Sequence, residues 1–587
     1  MLGNIIEIIE NNVIVKLQSN IVNLDNIINN YVFIKDKKQI IGEIIILKEN
    51  NLIIELLGEI INNEFSFGIT KKPSLNASVG LLSEKNVPFI ISNPEVETKS
   101  LLLGYSPIYD NIKIHIDINK FFNSHFAILG GTGSGKSWGV ASIIQNIFKN
   151  KTYIPYNASL FIFDTYGEYQ NAFLGIEHQN PYISVKTYTT NLESDEEILR
   201  IPPYLLGVDD LAILLNATTP NQLQIIEKAL YLVKIFASEE SDVLKIKNDI
   251  IARSVLDILL SGRPSVQIRD QVFSILSFYK TSELNLDTIL YQPGYNRSLK
   301  NCLIIDADGK LREMELLTDF FTSFLLENKE FDDTKQIIYS LEDLENAIDF
   351  ALISEGILKS EKVYDENNML KVRIHSLVTG EYKTYFEYEH YLTKENYVNE
   401  LINKNNRKAE IINFNINYVD DRFAKTIVKI ITKMLFDVLK NLKPRASLPF
   451  HIILEEAHRY VINDNDVNLL GYNIFERISK EGRKYGILLG LISQRPSELS
   501  ETALSQCNNF LVFKMVHPKD MDYIKRLIPF MTLEISKRLQ MIKPGFCYGF
   551  GPAFKLPTMI RLDKPNPTPE SNNVDISSTW YININNQ

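Results

Sequence analysis

Residues 125–148 read HFAILGGTGSGKSWGVASIIQNIF. A short apolar run, a glycine-rich turn and then Val140, Ile143, Ile144, Ile147 and Phe148 at helical spacing predict strand, loop, helix. Within the turn, GGTGSGKS at 130–137 fits G-x-x-x-x-G-K-[ST]: Gly130, Gly135, Lys136 and Ser137 hold the fixed positions, with Gly131, Thr132, Gly133 and Ser134 between them. Glycines let backbone N–H groups wrap a phosphate chain, and the helix that follows turns its positive end toward it. Lys136 is placed to reach the terminal phosphates, and Ser137 offers a hydroxyl to magnesium. The stretch predicts an α/β core and a nucleotide site, with ATP and magnesium as the expected cofactors.

Hydrolysis demands more than this loop: an acidic magnesium partner and a group that activates water, both at the end of another core strand. Three apolar runs end in acid, FIFD at Asp164, LIID at Asp306 and IILEE at Glu455 and Glu456. Only the last supplies paired carboxylates, so Glu455 is assigned to the metal shell and Glu456 to catalysis. Gln494, in LISQRPSEL, follows a further buried-type strand, where its amide can sense the terminal phosphate. Just upstream, RISKEGRKYG presents Arg477, Arg483 and Lys484. In ring ATPases an arginine from the next subunit neutralises transition-state charge. The plainer reading of these cations is a solvated helix end.

Around this core, the 587-residue chain is long enough for two or three domains, because single cores stop growing near about 250–300 residues. From Met1 to about Pro107, β-branched runs such as NVIVKL, YVFIKD and NLIIELLG alternate with turn residues, which predicts a small β-barrel or sandwich. The core is expected over 108–189 and 301–563, with a helical insertion at 190–300; the segment 330–405, helical and charged, also looks like an insertion in that core. The tail at 564–587 is rich in Pro and Asn yet carries Trp580 and Tyr581, so it is either loose or an arm anchored through aromatic residues.

The formal charge of −10, from 62 Lys and Arg against 72 Asp and Glu, argues against a generally basic DNA-coating protein and leaves room for a locally basic channel. Cys302, Cys507 and Cys547 form no CxxC pair, so neither a disulfide framework nor a zinc site is expected. The N-terminus lacks a basic leader with a long apolar core, and no apolar run reaches membrane-spanning length. A soluble, unprocessed, cytoplasmic chain is the expectation.

Taken together, GGTGSGKS, DTYGEY at 164–169, LEEAHRY at 454–460, EGRKYG at 481–486 and SQRPSEL at 493–499 resemble the HerA group of DNA-translocating ATPases, related to FtsK, over roughly residues 110–560. The resemblance implies a RecA-like core with helical insertions behind an N-terminal HAS-type barrel. It also implies a homo-hexamer that moves double-stranded DNA through its channel. Carried over by position, Lys136, Ser137, Glu455 and Glu456 serve the nucleotide, Gln494 is the sensor and Arg483 the trans-acting finger. Asp164 and Glu168 match the acidic positions of the family's DPHGEY-like segment, where this chain has Thr165 and Tyr166 in place of Pro and His. The tail resembles an arm that reaches the adjacent subunit, which would give Trp580 a docking role. The resemblance further implies a separate effector, a nuclease such as NurA or, in bacterial antiphage systems, a sirtuin-like NAD-consuming protein. The alternative is a hexameric scaffold that binds ATP to recruit and activate that effector; a conjugation-type DNA pump is disfavoured by the missing membrane anchor.

Overall fold

A computed structural model describes residues 1–18, 27–109, 112–292, 295–327, 331, 337–356, 361–571 and 575–580. The chain forms two compact units, one of residues 1–197, 398–463 and 474–587, the other of 198–397 and 464–473.

In the first unit the N-terminal strands close on themselves. Strand Asn12–Leu17 pairs with Gly3–Ile9 on one side and with Asn51–Ile61 on the other, which joins the ends of a six-stranded sheet and leaves the short strand Glu64–Phe67 appended. Alternation drives the closure: along Asn51–Ile61, Leu52, Ile54 and Leu56 point inward to meet Val13, Val15, Ile34 and Val79. This is the expected barrel.

The core is an eleven-stranded sheet among the described residues. Its first seven strands run parallel in the order Val185–Thr189, Ile411–Asn415, Leu160–Asp164, Phe450–Leu454, Ile487–Ser493, His125–Leu129, Cys507–Phe513. Four antiparallel strands, Phe546–Phe550, Thr558–Leu562, Ser100–Tyr105 and Lys113–Asp117, extend it. The central parallel strands are buried along their whole length, as a sheet covered on both faces requires. Helix Lys136–Phe148 buries Val140, Ile143, Ile144 and Phe148 in the cluster that holds Ile128, Ile162 and Ile492. Helix Asp421–Asn441 starts on Asp420, whose side chain accepts from Arg422 N and Phe423 N.

The second unit is helical. Helix Pro220–Ala237 opens with a capping box between Thr219 and Gln222 and packs along Leu341–Gly356. Ile198–Tyr397 thus takes in most of both segments read as insertions, 190–300 and 330–405, and the next strand of the core sheet is Ile411–Asn415. Asp306, one of the three acids closing an apolar run, belongs to this unit; its Oδ1 accepts from Asp308 N and Lys310 N in a turn. Trp580 ends a short helix, Ile576–Trp580, and is exposed, while Tyr581 lies outside the described residues. No helix among the described residues is long and apolar enough to cross a membrane.

At the N-terminal end of the central strand, His125 is buried and its Nδ1 accepts from Leu489 N at 2.9 Å. Burial holds the ring down to about 4 from the ordinary 6.5, and nearby Arg483 and His451 push the same way. A depressed histidine favours folding while neutral, so its contribution is full above pH 6.5 and is lost as pH falls toward 4, where the unfolded chain takes up the proton first. Urea denaturation at pH 7 and pH 5 should show His125→Asn losing about 2 kcal/mol less stability across that interval than the parent chain.

Candidate nucleotide-binding site

Strand His125–Leu129 runs straight into the glycine-rich turn, and the turn is fastened to both neighbouring strand ends. Gly130 N donates to Ser493 O at 3.2 Å and Gly131 N to Lys514 O at 2.8 Å. Gly133 and Gly135 take φ of 68° and 90°, the left-handed region that favours glycine. At Gly135 a Cβ would come within 2.6 Å of Gly545 N, whose N–H in turn donates to Ser134 O at 3.1 Å. Lys136 opens the helix with its side chain buried, and its Nζ donates back to Gly131 O at 3.1 Å. Burial lowers this ammonium to about 8, against the pull of Glu456, Glu455 and Glu168. The Ser134 hydroxyl is buried with no hydrogen-bond partner.

Glu455 and Glu456 follow the Phe450–Leu454 strand, separated from the loop strand by Ile487–Ser493 alone. Both are buried, and burial raises the Glu455 carboxyl well above its ordinary value, with Asp164 and Glu168 adding to the shift. Glu456 sits at φ 46°, ψ 46°, a left-handed conformation that costs a side-chain-bearing residue about 1–3 kcal/mol and persists where the surroundings impose it. Gln494, at the end of the intervening strand, connects the two sides: its Nε2 donates to Glu456 Oε1, and its Oε1 accepts from the Thr132 hydroxyl. His458 Nδ1 lies 3.2 Å from both Glu456 Oε2 and Ser493 Oγ.

Asp164, expected to bind the cofactor, shares a side-chain hydrogen bond with Glu455. It is fully buried, and its two oxygens accept from Glu168 N at 3.0 Å and Tyr169 N at 2.9 Å, so it ties down the turn. The acid that the turn presents is Glu168, whose Oε2 is buried without a partner; burial raises its carboxyl, and the Ser137 hydroxyl beside it works the other way. Thr165 Oγ1 donates to Glu455 O at 2.9 Å and meets Tyr460 OH at the same distance, locking DTYGEY to LEEAHRY. Tyr166 is exposed, with the Arg459 guanidinium 6.0 Å from its ring centre. His458 thus joins the residues selected from sequence, and Glu168, matched there only as an acidic position of the DTYGEY segment, is the acid that the turn presents.

Among the described residues no group of three or more His, Cys, Asp or Glu side chains forms a metal cage. Magnesium that arrives with a nucleotide takes only one or two protein oxygens and keeps its phosphates and waters. The unpartnered Glu455 Oε2 and the Ser137 hydroxyl fit that need.

Arg483 lies elsewhere. It is exposed in the turn Gly482–Lys484 that precedes Ile487–Ser493, whereas Gln494 follows that strand. Seven residues at about 3.3 Å each put the two some 23 Å apart, beyond the reach of one arginine. Arg477 is held by Glu481 at 2.6 Å and packs over Phe436, and Lys484 is exposed.

The family described as Helicase HerA, central domain, matches residues 102–435. The chain belongs to the HerA helicase family. It is 24% identical to the DNA double-strand break repair helicase HerA of Pyrococcus furiosus, over 82% of this chain and 71% of that one. It is 23% identical to the probable HerA of Methanocaldococcus jannaschii, over 84% and 82%. Among solved structures it is similar to VirB4 of Thermoanaerobacter pseudethanolicus (12% identity, 80% of this chain and 98% of that one, TM-score 0.41) and to the bacterial conjugative coupling protein TrwBdeltaN70 (8% identity, 82% and 92%, TM-score 0.42). Together with its P-loop, membership makes this HerA-family chain an ATPase.

Glu455→Gln removes one of several buried, mutually repelling carboxylates while keeping a donor toward Asp164. In nucleotide-free, metal-free protein it should raise Tm by about 2 °C, while calorimetry should show loss of magnesium-dependent nucleotide binding.

Proposed function

We propose that this chain is the subunit of a homo-hexameric, ATP-driven double-stranded DNA translocase. The observation that carries the reading is the continuous connection from the phosphate loop to the acid, Thr132 to Gln494 to Glu456, across the ends of three adjacent strands. A group entering beside Thr132 must disturb Gln494, and through it Glu456.

In this reading the amides of residues 131–136 and the N-terminus of helix Lys136–Phe148 cradle the phosphates, and Lys136 exchanges Gly131 O for the terminal phosphate. Ser137 and Glu455 hold magnesium, which when bound neutralises phosphate charge. Glu456, released from Gln494, accepts a proton from the attacking water, and Gln494 then senses the terminal phosphate. Arg483, too far from its own loop, serves the site of the next subunit and stabilises charge developing on the transferred group. DNA is gripped through its phosphates by cations summed around the ring, so affinity falls with salt. On the family resemblance, the reading extends to a separate effector, a nuclease or a sirtuin-like NAD-consuming protein, in a cytoplasmic antiphage role.

Steady-state ATP hydrolysis, measured with and without linear duplex DNA alongside particle mass, tests the reading. DNA should stimulate a hexamer several-fold, and Lys136→Ala should abolish turnover. Glu456→Gln should lower turnover by about 100-fold or more while leaving nucleotide binding intact. Mixing Arg483→Ala with Lys136→Ala chains should restore part of the activity. Hydrolysis indifferent to DNA would leave the ATP-binding scaffold as the better account.

A further inference from the structure

The segment after the last core strand, Thr558–Leu562, is Pro- and Asn-rich and reads as a loose arm, yet residues 564–571 are stapled to the chain's own nucleotide site. Lys564 Nζ sits 5.0 Å from the centre of the Trp138 ring, and Trp138 Nε1 donates to Ser571 Oγ at 3.0 Å. Gln145, two turns down the same helix, accepts from Asn566 N at 2.9 Å and donates to Pro567 O at 2.9 Å. On helix Gln170–Gln179, Gln179 donates to Asn566 O at 2.8 Å, Asn171 donates to Glu570, and Gly175 lies so close to Pro567 that a Cβ there would sit 2.1 Å from its Cδ. Between these helices, Glu570 N donates to Glu168 O at 2.8 Å.

Every one of these contacts falls on one of two elements: the helix that begins at the phosphate loop, or the turn and helix that carry Glu168. Trp138 is the residue after Ser137, and Glu168 is the acid beside the Ser137 hydroxyl. The segment therefore spans the gap between the two groups that flank Ser137. A strap this well bonded restricts the relative motion of what it spans, and pre-ordered groups bind a ligand without the entropic cost of ordering them.

We propose that Lys564–Ser571 is a positioning strap of the nucleotide site acting in cis. It holds the Glu168 turn against the phosphate-loop helix and fixes the Ser137–Trp138 step through the indole. Any reach of the arm toward a neighbouring subunit then begins after Ser571. The proposal rests on the nucleotide-site reading above.

The chain has two tryptophans, so in a Trp580→Phe background Trp138 is the only indole. In that background, the affinity for a non-hydrolysed ATP analogue with magnesium is measured by calorimetry, and Trp138 exposure by acrylamide quenching. Deleting 572–587 should leave both unchanged. Deleting 564–587 should raise quenching and weaken binding about tenfold. Glu570→Pro removes the N–H given to Glu168 O together with the carboxylate that accepts from Asn171, and Ser571→Ala only the indole's acceptor; each should weaken binding about three- to tenfold, the range of one or two lost hydrogen bonds. A 564–587 deletion that binds within twofold of the parent, whatever its Tm, makes the segment a stabilising tail and overturns the proposal. Recovery of turnover when that deletion is mixed with full-length Lys136→Ala chains would place the strap in trans and overturn the cis assignment. If the parent binds no analogue and Lys136→Ala is indistinguishable from it, the nucleotide reading fails first, and the strap with it.

Discussion

Two backbone hydrogen bonds, Gly130 N to Ser493 O and Gly131 N to Lys514 O, make the phosphate loop an outgrowth of the sheet. The central strand is parallel to both neighbours, so three strands stop at one level and the loop leaves between two carbonyls already in place. Close packing enforces the exit: a Cβ on Gly130 would stand 2.6 Å from Phe513 Cβ. Gln494 follows directly from Ser493, and Glu455 and Glu456 from the next strand over, so the ladder sets the spacing of every group in the site. A loop so placed needs little reorganisation to receive phosphate, which is the condition for backbone amides to act as preorganised donors.

The charges at those strand ends oppose one another. Asp164, Glu168 and Glu455 are each raised by burial first; neighbouring carboxylates add to the shift at Glu168 and Glu455, hydrogen bonds work against it at Asp164, and the buried Lys136 ammonium is itself lowered by burial. Acids in excess of cations, in a region where solvent screens poorly, favour a divalent cation and disfavour naked phosphate. The site is therefore matched to a metal-bound nucleotide more than to either part alone. Thr165, bonded to Glu455 O and Tyr460 OH, keeps the two acidic segments in register although it replaces a proline of the family pattern.

How much could be read from the sequence depended on how local the physics was. GGTGSGKS, the IILEE strand and Gln494 were legible because each motif carries its own geometry: glycines for positive φ, an apolar run for a buried strand, a polar residue at its end. Asp164 and Glu168 looked equivalent, and only the N–H bonds from residues 168 and 169 separate the acid that ties the turn from the one that it presents. That the helical segments at 190–300 and 330–405 share one core was not legible, because apolar spacing in Leu341–Gly356 marks a helix without saying which core it joins; its packing along Pro220–Ala237 decides that. Barrel closure was equally hidden, since the pairing of Asn12–Leu17 with Asn51–Ile61 is non-local. The arm misled through composition: Pro and Asn suggest a free tail, yet residues 564–571 find partners on two helices far away in sequence.

The positions of Arg483 and of the phosphate loop at opposite ends of one sheet constrain how subunits can meet if the arginine acts in trans. A trans contact must bring the Arg483 turn of one subunit to the phosphate loop of another, so it engages both ends of the sheet. The strand Ile487–Ser493 is common to both ends: Arg483 precedes it, Gln494 follows it, and His125 anchors its Leu489 N–H to the loop strand. A strand buried along all seven residues and laddered to both neighbours is close-packed, so it holds the Arg483 turn and Gln494 at a fixed separation within the chain.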